Sequence, residues 1–537
     1  MVLDDNDIIV VGGGPGGIVS ATKFAEAGLN TLLLEHGGPM LWRDGNREVP
    51  AWTQKEYPNN TLTRHDGMVY YLAPSDVNYY CLNLPTGQRA ACQLGGGTSV
   101  NAMQQWWPPR AYLENTFDFD GWTVADFDAA IHRTVKRIPH TPYWSTDNKF
   151  YQDEVYGLMS NVLSSIGLNE VNNTVDVDNK YNTFGRDMFA QAGGQRGGPS
   201  VGYLQDAKRH PNFTLKLYSP VTRVVRTGSQ ITGVYVNGTI IKAKNVVLSA
   251  GVWNTPALLF ASGIGPVSEL ITAAAIGYTP YEQNEWIINN AVGANLHDNP
   301  TGLVSFTYND TKALPYYNIT GFYDGSNYIK ADADLLFSQR AGPLTIVPRI
   351  LCGWIKVAYP LDTSKYMNIQ VICSSPNVED GSFQCQFNLN EGALSRGRIT
   401  LNTTGTLSFA DGAGPWLTDP NGLDVELYAQ ALERFVNGSS KYPGLTVTDP
   451  VPGTIQSYRE WLGEHANKTN NLGTSDGTKY NNGSCADINA KVYGTDNLFV
   501  IDGSLSPAPT TSNPTFLYEA MAELASERII NLLTVNS

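Results

Sequence analysis

The stretch IIVVGGGPGG, which begins at Ile8, constrains the fold more than any other part of the sequence. The four apolar residues from Ile8 to Val11 form a continuous run, which is typical of a parallel strand buried on both faces. Gly12, Gly14 and Gly17 follow with the spacing G-x-G-x-x-G. In this pattern the first glycine permits a tight turn, the second lets the backbone approach a pyrophosphate, and the third lets a helix pack close to the strand. The stretch therefore predicts a strand, a turn and a helix that bind the phosphates of a nucleotide.

The residues after the glycines extend this prediction to a dinucleotide-binding unit. A helix is predicted from Gly16 to Ala27, ending at Gly28, and its N-terminus would present free N–H groups and partial positive charge to phosphates. A second strand, 31–34, delivers Glu35. A carboxylate there can accept hydrogen bonds from an adenosine ribose and would repel a 2′-phosphate. The unit therefore suits NAD or FAD rather than NADP; the alternative is a glycine-rich turn that binds nothing.

The length and the charge of the chain limit its class. A chain of 537 residues is too long for one simple core, so we expect two domains. The formal net charge of −14 argues against binding to nucleic acid or to an anionic membrane surface. Apolar runs are too short to span a membrane. We expect a monomer whose partners are small molecules, without a membrane anchor or a bound metal.

The asparagines and cysteines predict secretion. Ten Asn-x-Ser/Thr sequons and six cysteines in one chain favour a secreted glycoprotein. Cys81 and Cys92 are close enough in sequence for a local disulfide, whereas the pairing of the other four cysteines stays open, with buried thiols as the alternative. No signal-peptide pattern precedes the first strand, so we expect the mature form. The sequons begin at Asn59, Asn172, Asn212, Asn237, Asn309, Asn318, Asn402, Asn437, Asn467 and Asn482.

The distribution of glycine motifs and strand-like runs along the chain predicts a nucleotide-binding domain built from discontinuous segments. Residues 1–301 carry the main nucleotide-binding part, with an aromatic, lid-like excursion near residues 60–92 and a β-meander from about Asn212. Residues 302–477 contain many short strand-like runs and predict a substrate-binding domain. Residues 478–537 return to the nucleotide-binding domain, with a strand, an Asp-Gly loop and a long helix. We predict an α/β and α+β fold: a Rossmann-like domain built from discontinuous segments, plus an antiparallel sheet backed by helices.

Five motifs carry a resemblance to a known family. They are GGGPGG, GGGTSVNAMQQWW, SAGVWNTPALLFASGIGP, VGANLHDNP and FVIDGSLSPAPTTSNP. In this order and spacing they resemble the glucose–methanol–choline (GMC) oxidoreductases over essentially the whole chain. Within that family the sequence looks most like the flavin domain of fungal cellobiose dehydrogenases, because a cysteine shortly precedes the second glycine run and Asn513 stands where many relatives have His. The resemblance implies the GMC fold and FAD as the cofactor.

The resemblance also implies roles for individual residues. Those implied to hold the ADP half of the cofactor are Gly12, Gly14, Gly17 and Glu35, with Val221 bonding the adenine through its backbone. Those implied to surround the rest of the cofactor are Gly96, Thr98, Asn101, Asp502, Gly503, Asn513 and Thr515. Pro514 is a good first residue for a helix, so the positive end of that helix would face the flavin. The alternative for Asn513 is a plain helix cap.

The attachment of the cofactor follows from the same comparison. Some relatives link FAD covalently through a histidine near the second glycine run. The corresponding segment of this chain, RAACQLGGGTSVN, contains no histidine. We therefore expect noncovalent FAD. Reduced flavin would pass its electrons to oxygen, a quinone or a one-electron carrier, and the sequence does not choose among these acceptors.

Oxidation of an alcohol also requires a base with a pKa near the working pH, which favours histidine. His465 lies shortly upstream of the final strand, where the family keeps its base, so we predict that His465 accepts the hydroxyl proton while Asn513 holds the substrate oxygen. The context EHANKTNNLGT departs from the family's usual H-x-x-G-T. A shifted register would place Asn470 in the base position, and an asparagine cannot act as a base. Asn467 also begins a sequon, which is awkward beside a buried base.

The resemblance implies oxidation of a hydroxyl group of a sugar or an aryl alcohol, by proton abstraction and hydride transfer to flavin N5. Aromatic residues in QQWWPP and in the 60–92 excursion suit either class of donor, or plain packing. Two alternatives remain open: a redox-inert lyase that resembles the FAD-containing hydroxynitrile lyases of this family, and an FAD protein without catalytic activity.

Overall fold

The structure is a computed structural model that describes residues 6–63, 80–81, 90–117, 119, 121–191, 193–376, 380–410, 412, 414–465, 475–476 and 484–535. Most of the predicted lid-like excursion, 60–92, therefore lies outside the described residues. The longer strands are Asn6–Val11, Thr31–Leu34, Thr183–Arg186, Phe213–Lys216, Val221–Thr227, Gln230–Val236, Thr239–Leu248, Thr301–Tyr308, Arg349–Ala358, Tyr366–Ser374, Ser382–Leu389, Ile399–Leu401, Leu407–Phe409, Leu445–Asp449 and Leu498–Val500.

The described helices are α-helical, apart from four short 3₁₀ turns. The α-helices are Pro15–Glu26, Ala51–Glu56, Arg110–Thr116, Val124–Arg137, Glu154–Ser165, Tyr203–Ala207, Gly251–Ala261, Val267–Ala275, Thr320–Asp324, Lys330–Gln339, Leu423–Ser439, Ile455–His465 and Thr515–Val535. The last of these is called the C-terminal helix below. Among the helices that the structure describes, none has the length and apolar composition of a membrane span.

The first sheet contains a parallel core of five strands from three separate parts of the chain. Its order is Phe213–Lys216, Thr31–Leu34, Asn6–Val11, Thr239–Leu248 and Leu498–Val500. The register aligns Val11 with Leu34 and with Leu248, and Leu248 with Val500, so these strands end along one edge. The meander that contains Val221–Thr227 and Gln230–Val236 extends the same sheet in antiparallel fashion.

The first strand is buried on both faces, as its continuous apolar run predicts. Ile8 and Val10 pack into one apolar cluster with Phe24 and with Phe516 of the C-terminal helix. Ile9 and Val11 pack into the cluster on the opposite face. Because alternate residues of a strand point to opposite faces, two helical or meander layers cover this sheet.

The second sheet, which we call the antiparallel sheet, is built around four long strands: Thr301–Tyr308, Ser382–Leu389, Tyr366–Ser374 and Arg349–Ala358. One face packs on the helix Leu423–Ser439 in the largest apolar cluster of the described chain. A disulfide joins Cys373 and Cys385 on neighbouring strands of this sheet, and Cys92 is also disulfide-bonded. The fold class predicted from the sequence is confirmed, whereas the domain boundaries stay a prediction.

Gly17 holds the first helix against the first strand. A Cβ atom at this position would lie 1.8 Å from the carbonyl oxygen of Gly12, far inside van der Waals contact. Gly157 is also helical, but a Cβ there would meet nothing within 4 Å. Substitution of Gly17 therefore tests the close packing of helix on strand, whereas substitution of Gly157 tests helix propensity alone.

We expect Gly17→Ala to lower the free energy of unfolding by about 3 kcal/mol or more, because the added methyl group must push the helix off the strand. Gly157→Ala, the matched control, should raise it by about 0.5–1 kcal/mol through better helix propensity. Chemical denaturation of both variants checks this; equal effects would show that the packing at Gly17 is not tight.

Glu519 places a carboxyl group inside the packing of the C-terminal helix. Its side chain is fully buried, and Oε2 accepts a hydrogen bond from Gln105 Nε2 at 2.7 Å. Burial raises the pKa of Glu519 to about 8. Within the described residues, Glu519 Oε1 and Gln105 Oε1 have no partner. A protonated carboxyl at this position therefore agrees with its surroundings better than a carboxylate.

The folded-state pKa of Glu519 lies above its ordinary value of 4.5, so its favourable contribution is complete below that value and is lost as the pH rises through about 8. We expect Glu519→Gln to match the wild type in thermal stability at pH 5 and to exceed it increasingly up to pH 9. Thermal unfolding across this range checks the difference. A constant difference would mean that Glu519 titrates normally.

Candidate active site

The ends of the parallel strands form one wall of a cleft of about 720 Å³. Gly12, Glu35, Ser249 and Asp502 follow four of these strands and all line the cleft. The carboxyl ends of parallel strands are where α/β sheets bind their ligands. The cleft is therefore the candidate cofactor site.

The two glycine runs meet in this cleft and leave backbone exposed to it. A Cβ at Gly96 would lie 2.9 Å from Gly14 Cα, so the second run rests on the first. A Cβ at Gly14 would meet only Ser249 O, at 4.0 Å, and one at Gly97 would meet nothing within 4 Å. The first helix begins at Pro15, so its N-terminal N–H groups face the same space. This combination suits a pyrophosphate that must come close to the backbone.

The side chain of Glu35 is hydrogen-bonded to the backbone of the first glycine run and to the backbone just after the second strand. Its Oε2 accepts a hydrogen bond from the Gly13 N–H at 2.6 Å, and its Oε1 accepts one from the Gly37 N–H at 2.7 Å. Burial raises the pKa of Glu35, and the two backbone N–H groups oppose that rise. Val221 lines the same cleft, and Ser219, two residues before it, donates its N–H to the carbonyl oxygen of Glu35 at 2.8 Å. The structure thus brings the predicted ribose acceptor and the predicted adenine contact to one place.

Asp502 and Gly503 lie on the opposite side of the first glycine run and also line the cleft. Asp502 Oδ2 accepts hydrogen bonds from the Gly251 N–H at 2.9 Å and from Thr255 Oγ1 at 2.6 Å. Its Oδ1 accepts a bond from the Ser504 N–H at 2.9 Å. Asp502 therefore ties the last strand to the helix Gly251–Ala261 and fixes the position of the Asp-Gly loop.

A buried arginine fixes the loop after the second glycine run. Arg196 Nη1 donates to the carbonyl oxygen of Thr98 at 2.9 Å and to Asn101 Oδ1 at 3.0 Å, and Nη2 donates to the Asn101 carbonyl at 2.8 Å. Thr98 Oγ1 donates to the Gly95 carbonyl at 2.6 Å. Sequence reasoning missed Arg196, although an arginine between two glycine pairs, GGQRGG, is a usable signal for a charged residue in a tight loop.

The start of the C-terminal helix lies beside this loop. Asn101 Nδ2 donates to Thr515 Oγ1 at 3.4 Å. Asn101, Asn513 and Thr515 are all partly exposed, whereas the neighbours Ser512 and Phe516 are buried. The predicted flavin contacts from two distant segments therefore share one partly open surface at a helix N-terminus, which favours negative charge.

The antiparallel sheet reaches the same helix start through polar side chains. Gln370 Nε2 donates to Asn513 Oδ1 at 3.0 Å, and Trp354 Nε1 donates to Ser512 Oγ at 3.0 Å. Gln370 and Trp354 are cross-strand partners. Sequence reasoning missed Gln370, although alternation in YMNIQVICS places Asn368 and Gln370 on one face of an otherwise apolar strand.

A second cavity, of about 430 Å³, lies on the same face of the antiparallel sheet. Gln386 lines it and is the cross-strand partner of Ile372, two residues along from Gln370. Two residues of a strand span about 7 Å, so the cavity begins near the polar contact with Asn513. Its lining includes Gln152, Leu303, Tyr316, Tyr317, Gln384 and Gln386.

His465 is the last residue of the helix Ile455–His465. Its Nδ1 lies 2.9 Å from the carbonyl oxygen of Trp461, and its ring stacks on the Trp461 ring at 4.8 Å. No side-chain contact among the described residues links His465 to Asn513. The alternative position, Asn470, falls outside the described residues. The assignment of the base therefore stays a prediction.

The cofactor implied by the sequence is compatible with these residues. The residues that line the cleft include Glu35 and Val221, the open backbone at Gly14, and Gly96, Gly97 and Tyr518. In the sequence, Asn101 lies four positions after Gly97, and Thr515 lies three positions before Tyr518. A carboxylate, an open phosphate-binding turn and a nearby helix N-terminus thus supply the groups that the ribose, pyrophosphate and isoalloxazine ring of FAD require.

Comparison with known proteins agrees with this site. Models of the GMC oxidoreductase family match residues 6–301 and 393–522. A glucose methanol choline oxidoreductase of Aspergillus terreus is 25% identical, and the alignment covers 98% of this chain and 92% of that protein. Choline oxidase of Arthrobacter globiformis is 24% identical, with 97% and 94% covered. An FAD-dependent oxidoreductase from Chaetomium thermophilum has the same fold, with a TM-score of 0.77, 16% identity, and coverage of 99% of this chain and 100% of that one.

The family models together span most of the chain, including both glycine runs and the start of the C-terminal helix. The chain therefore belongs to the glucose–methanol–choline oxidoreductases and is an FAD-dependent dehydrogenase or oxidase that acts on alcohol-type CH–OH donors.

Proposed function

We propose that the protein binds FAD noncovalently and oxidises a hydroxyl group of a sugar or an aryl alcohol. The observation that carries this proposal is the position of Asn513, at the start of the C-terminal helix and in contact with the antiparallel sheet that forms the second cavity. A donor in that cavity would reach the helix start from one side, and the cofactor cleft would reach it from the other.

Residues and helix ends of the protein would bind the cofactor and stabilise the negative charge that develops during the reaction. Glu35 would accept hydrogen bonds from the ribose, and the N-terminus of the first helix would bind the pyrophosphate. The C-terminal helix would stabilise negative charge beside its N-terminus. FAD, when bound, accepts the hydride of the donor. Noncovalent binding is supported by the second glycine loop, in which no histidine stands between Ala90 and Asn101.

His465 is the proposed proton acceptor. Nδ1 bonded to a backbone carbonyl is the protonated nitrogen, which leaves Nε2 as the basic one. Ser475 pairs in antiparallel fashion with His297, which lies two residues before Asn299.

The second cavity is lined by glutamine and tyrosine side chains together with Arg349, and this lining supports a hydroxylated donor. Glutamine amides donate and accept hydrogen bonds, as hydroxyl groups require, and the faces of Tyr316 and Tyr317 suit a pyranose or an aryl ring. The narrower resemblance to cellobiose dehydrogenases favours sugars as the first donors to test.

Secretion as a glycoprotein is part of the proposal. Asn172 and Asn309 are exposed and begin sequons, which supports their use. Asn212 and Asn237 differ, because the Nδ2 of Asn212 donates to the carbonyls of Ala25 and Leu29 at 2.9 and 2.8 Å, and the Nδ2 of Asn237 donates to the carbonyl of Tyr218 at 3.1 Å.

An anaerobic visible spectrum tests the function directly. We expect the purified protein to be yellow, to release its flavin on acid precipitation, and to be bleached by a member of a panel of sugars and aryl alcohols. Bleaching follows because hydride transfer removes the absorption of oxidised flavin.

Flavin that stays with the acid precipitate would contradict noncovalent binding. A yellow protein that no donor bleaches would contradict the proposed oxidation and favour a lyase-like or non-catalytic FAD protein. A colourless protein that does not become yellow with added FAD would contradict the cofactor itself.

We expect His465→Ala to slow flavin reduction by the best donor about 100-fold or more, because a general base contributes that much to proton transfer. His132→Ala is the matched control: His132 is also helical, and its Nδ1 also lies close to the carbonyl four residues earlier, at 2.6 Å. Stopped-flow reduction under anaerobic conditions measures both variants. Equal rates for the two would show that His465 is not the base.

A further inference from the structure

We propose that Gln370 is a positioning residue that turns the side-chain amide of Asn513, so that Asn513 presents its Nδ2 hydrogens, and not its Oδ1, to the oxygen of the donor. This inference rests on the proposed function. It follows from a chain of four side-chain amides that crosses from the antiparallel sheet to the C-terminal helix.

The four amides are bonded in one direction. Asn299 Nδ2 donates to Asn390 Oδ1. Asn390 Nδ2 donates to Gln370 Oε1 at 3.1 Å, and Gln370 Nε2 donates to Asn513 Oδ1 at 3.0 Å. Each amide therefore accepts from the one before it and donates to the next. The Nδ2 group of Asn513 is the donor end of this chain.

Two backbone carbonyls fix the direction, because a carbonyl oxygen can only accept. Asn390 Nδ2 also donates to the Thr511 carbonyl at 3.0 Å, and Asn299 Nδ2 also donates to the Leu389 carbonyl at 3.3 Å. Turning Asn390 over would place its Oδ1 against the Thr511 carbonyl. With Asn390 fixed, Gln370 must offer its Oε1 to Asn390, and its Nε2 must face Asn513.

The surroundings of Gln370 strengthen this orientation. Its Nε2 also donates to the sulfur of Cys352 at 3.2 Å, so both hydrogens of Nε2 have acceptors. Burial raises the pKa of Cys352 well above its ordinary value, which keeps the thiol neutral. Gln370, Asn390 and Cys352 are all buried, where a misdirected amide would leave unpaired donors and acceptors.

The orientation of Asn513 decides what the site can stabilise. An amide N–H directed at the donor's oxygen stabilises the negative charge that develops as the hydroxyl proton leaves. An amide carbonyl in that position would oppose it. Gln370 acts through Asn513, so a simple loss of Gln370 should be less harmful than a residue that forces Asn513 to turn over.

The test compares Gln370→Glu with Gln370→Leu. The introduced glutamate, once ionised, can only accept, so it should draw Asn513 Nδ2 towards itself, whereas its protonated form can still donate to Asn513 Oδ1. The introduced leucine removes the donor to Asn513 Oδ1 and does not titrate. The titratable groups near this site are Cys352, with Asp187 and Lys180 near its thiol, and Glu391, which accepts a bond from Thr511. All variants keep them, so rates are taken relative to the wild type at each pH.

Two measurements between pH 5 and pH 9 decide the outcome. The first is the rate of flavin reduction by the best donor. We expect the relative rate of Gln370→Glu to fall at least about tenfold below that of Gln370→Leu at high pH and to recover as the pH is lowered, while that of Gln370→Leu stays constant. Relative rates that never separate, or a slower Gln370→Leu at high pH, would overturn the proposal.

The second measurement needs no donor and no turnover. It follows the side-chain ¹⁵N–¹H signal of Asn513 in FAD-free protein labelled on asparagine, assigned by its loss in Asn513→Asp. We expect this signal to move downfield in Gln370→Glu as the new carboxyl ionises, and not in Gln370→Leu. An unmoved signal would overturn the proposal even if donors are oxidised, and a moved signal supports it even if no donor is found.

Where Gln370→Glu does not fold, Asn390→Asp provides the same test from a residue that does not touch Asn513. At high pH the introduced aspartate should accept from Gln370 and reverse the chain, shifting the Asn513 signal. An unchanged signal in this folded variant would overturn the proposal.

Discussion

The cleft depends on how closely the first helix lies against the first strand. The carbonyl oxygen of Gly12 occupies the space that a side chain at Gly17 would need. This contact lets the helix begin directly over the edge at which the parallel strands end. Glu35, Ser249 and Asp502 then reach the same space from their own strands. A helix held only a few ångströms further out would separate its N-terminal N–H groups from these side chains.

The antiparallel sheet contributes through polar groups inside an otherwise apolar structure. Gln370, Asn390 and Trp354 contact the segment before the C-terminal helix, and Glu391 accepts a hydrogen bond from Thr511 at 2.8 Å. Buried polar groups cost free energy unless they are paired, so these contacts fix the relative position of sheet and helix more sharply than apolar packing can. The two sides of the candidate site are thereby held in register.

Much of the fold could be predicted because its signals are local. The apolar run before Gly12, the glycine spacing and the acid at Glu35 each follow from the physics of one strand or turn. The helix predicted from Gly16 to Ala27 spans Pro15–Glu26, and the helix predicted from Pro514 spans Thr515–Val535. The resemblance to the GMC family is confirmed at the level of the family, and its narrower likeness to cellobiose dehydrogenases stays a prediction.

The parts that sequence reasoning missed depend on contacts between distant segments. Gln370 and Asn513 are 143 residues apart, and Arg196 and Asn101 are 95 apart. The alternation in YMNIQVICS places Gln370 on one face of its strand, but no local pattern identifies the distant amide that it contacts. The base is a different case: His465 has a local signal, but its role depends on the path of the chain after the helix that it ends.

The alternation of the long antiparallel strands gives each face its own task. In Tyr366–Ser374, residues Ile369, Val371 and Cys373 pack into the apolar cluster under the helix Leu423–Ser439, whereas Gln370 and Ser374 face the other way. The cystine at Cys373 and Cys385 braces the packed face. On this second face, Gln370 and Trp354 are buried and hold the sheet to the segment before the C-terminal helix, whereas Ser374, Gln384 and Gln386 are partly exposed and line the second cavity. Substitutions at these three positions can therefore accumulate without loosening the scaffold, so the proposed donor cavity is well suited to evolutionary change and to directed evolution for new donors.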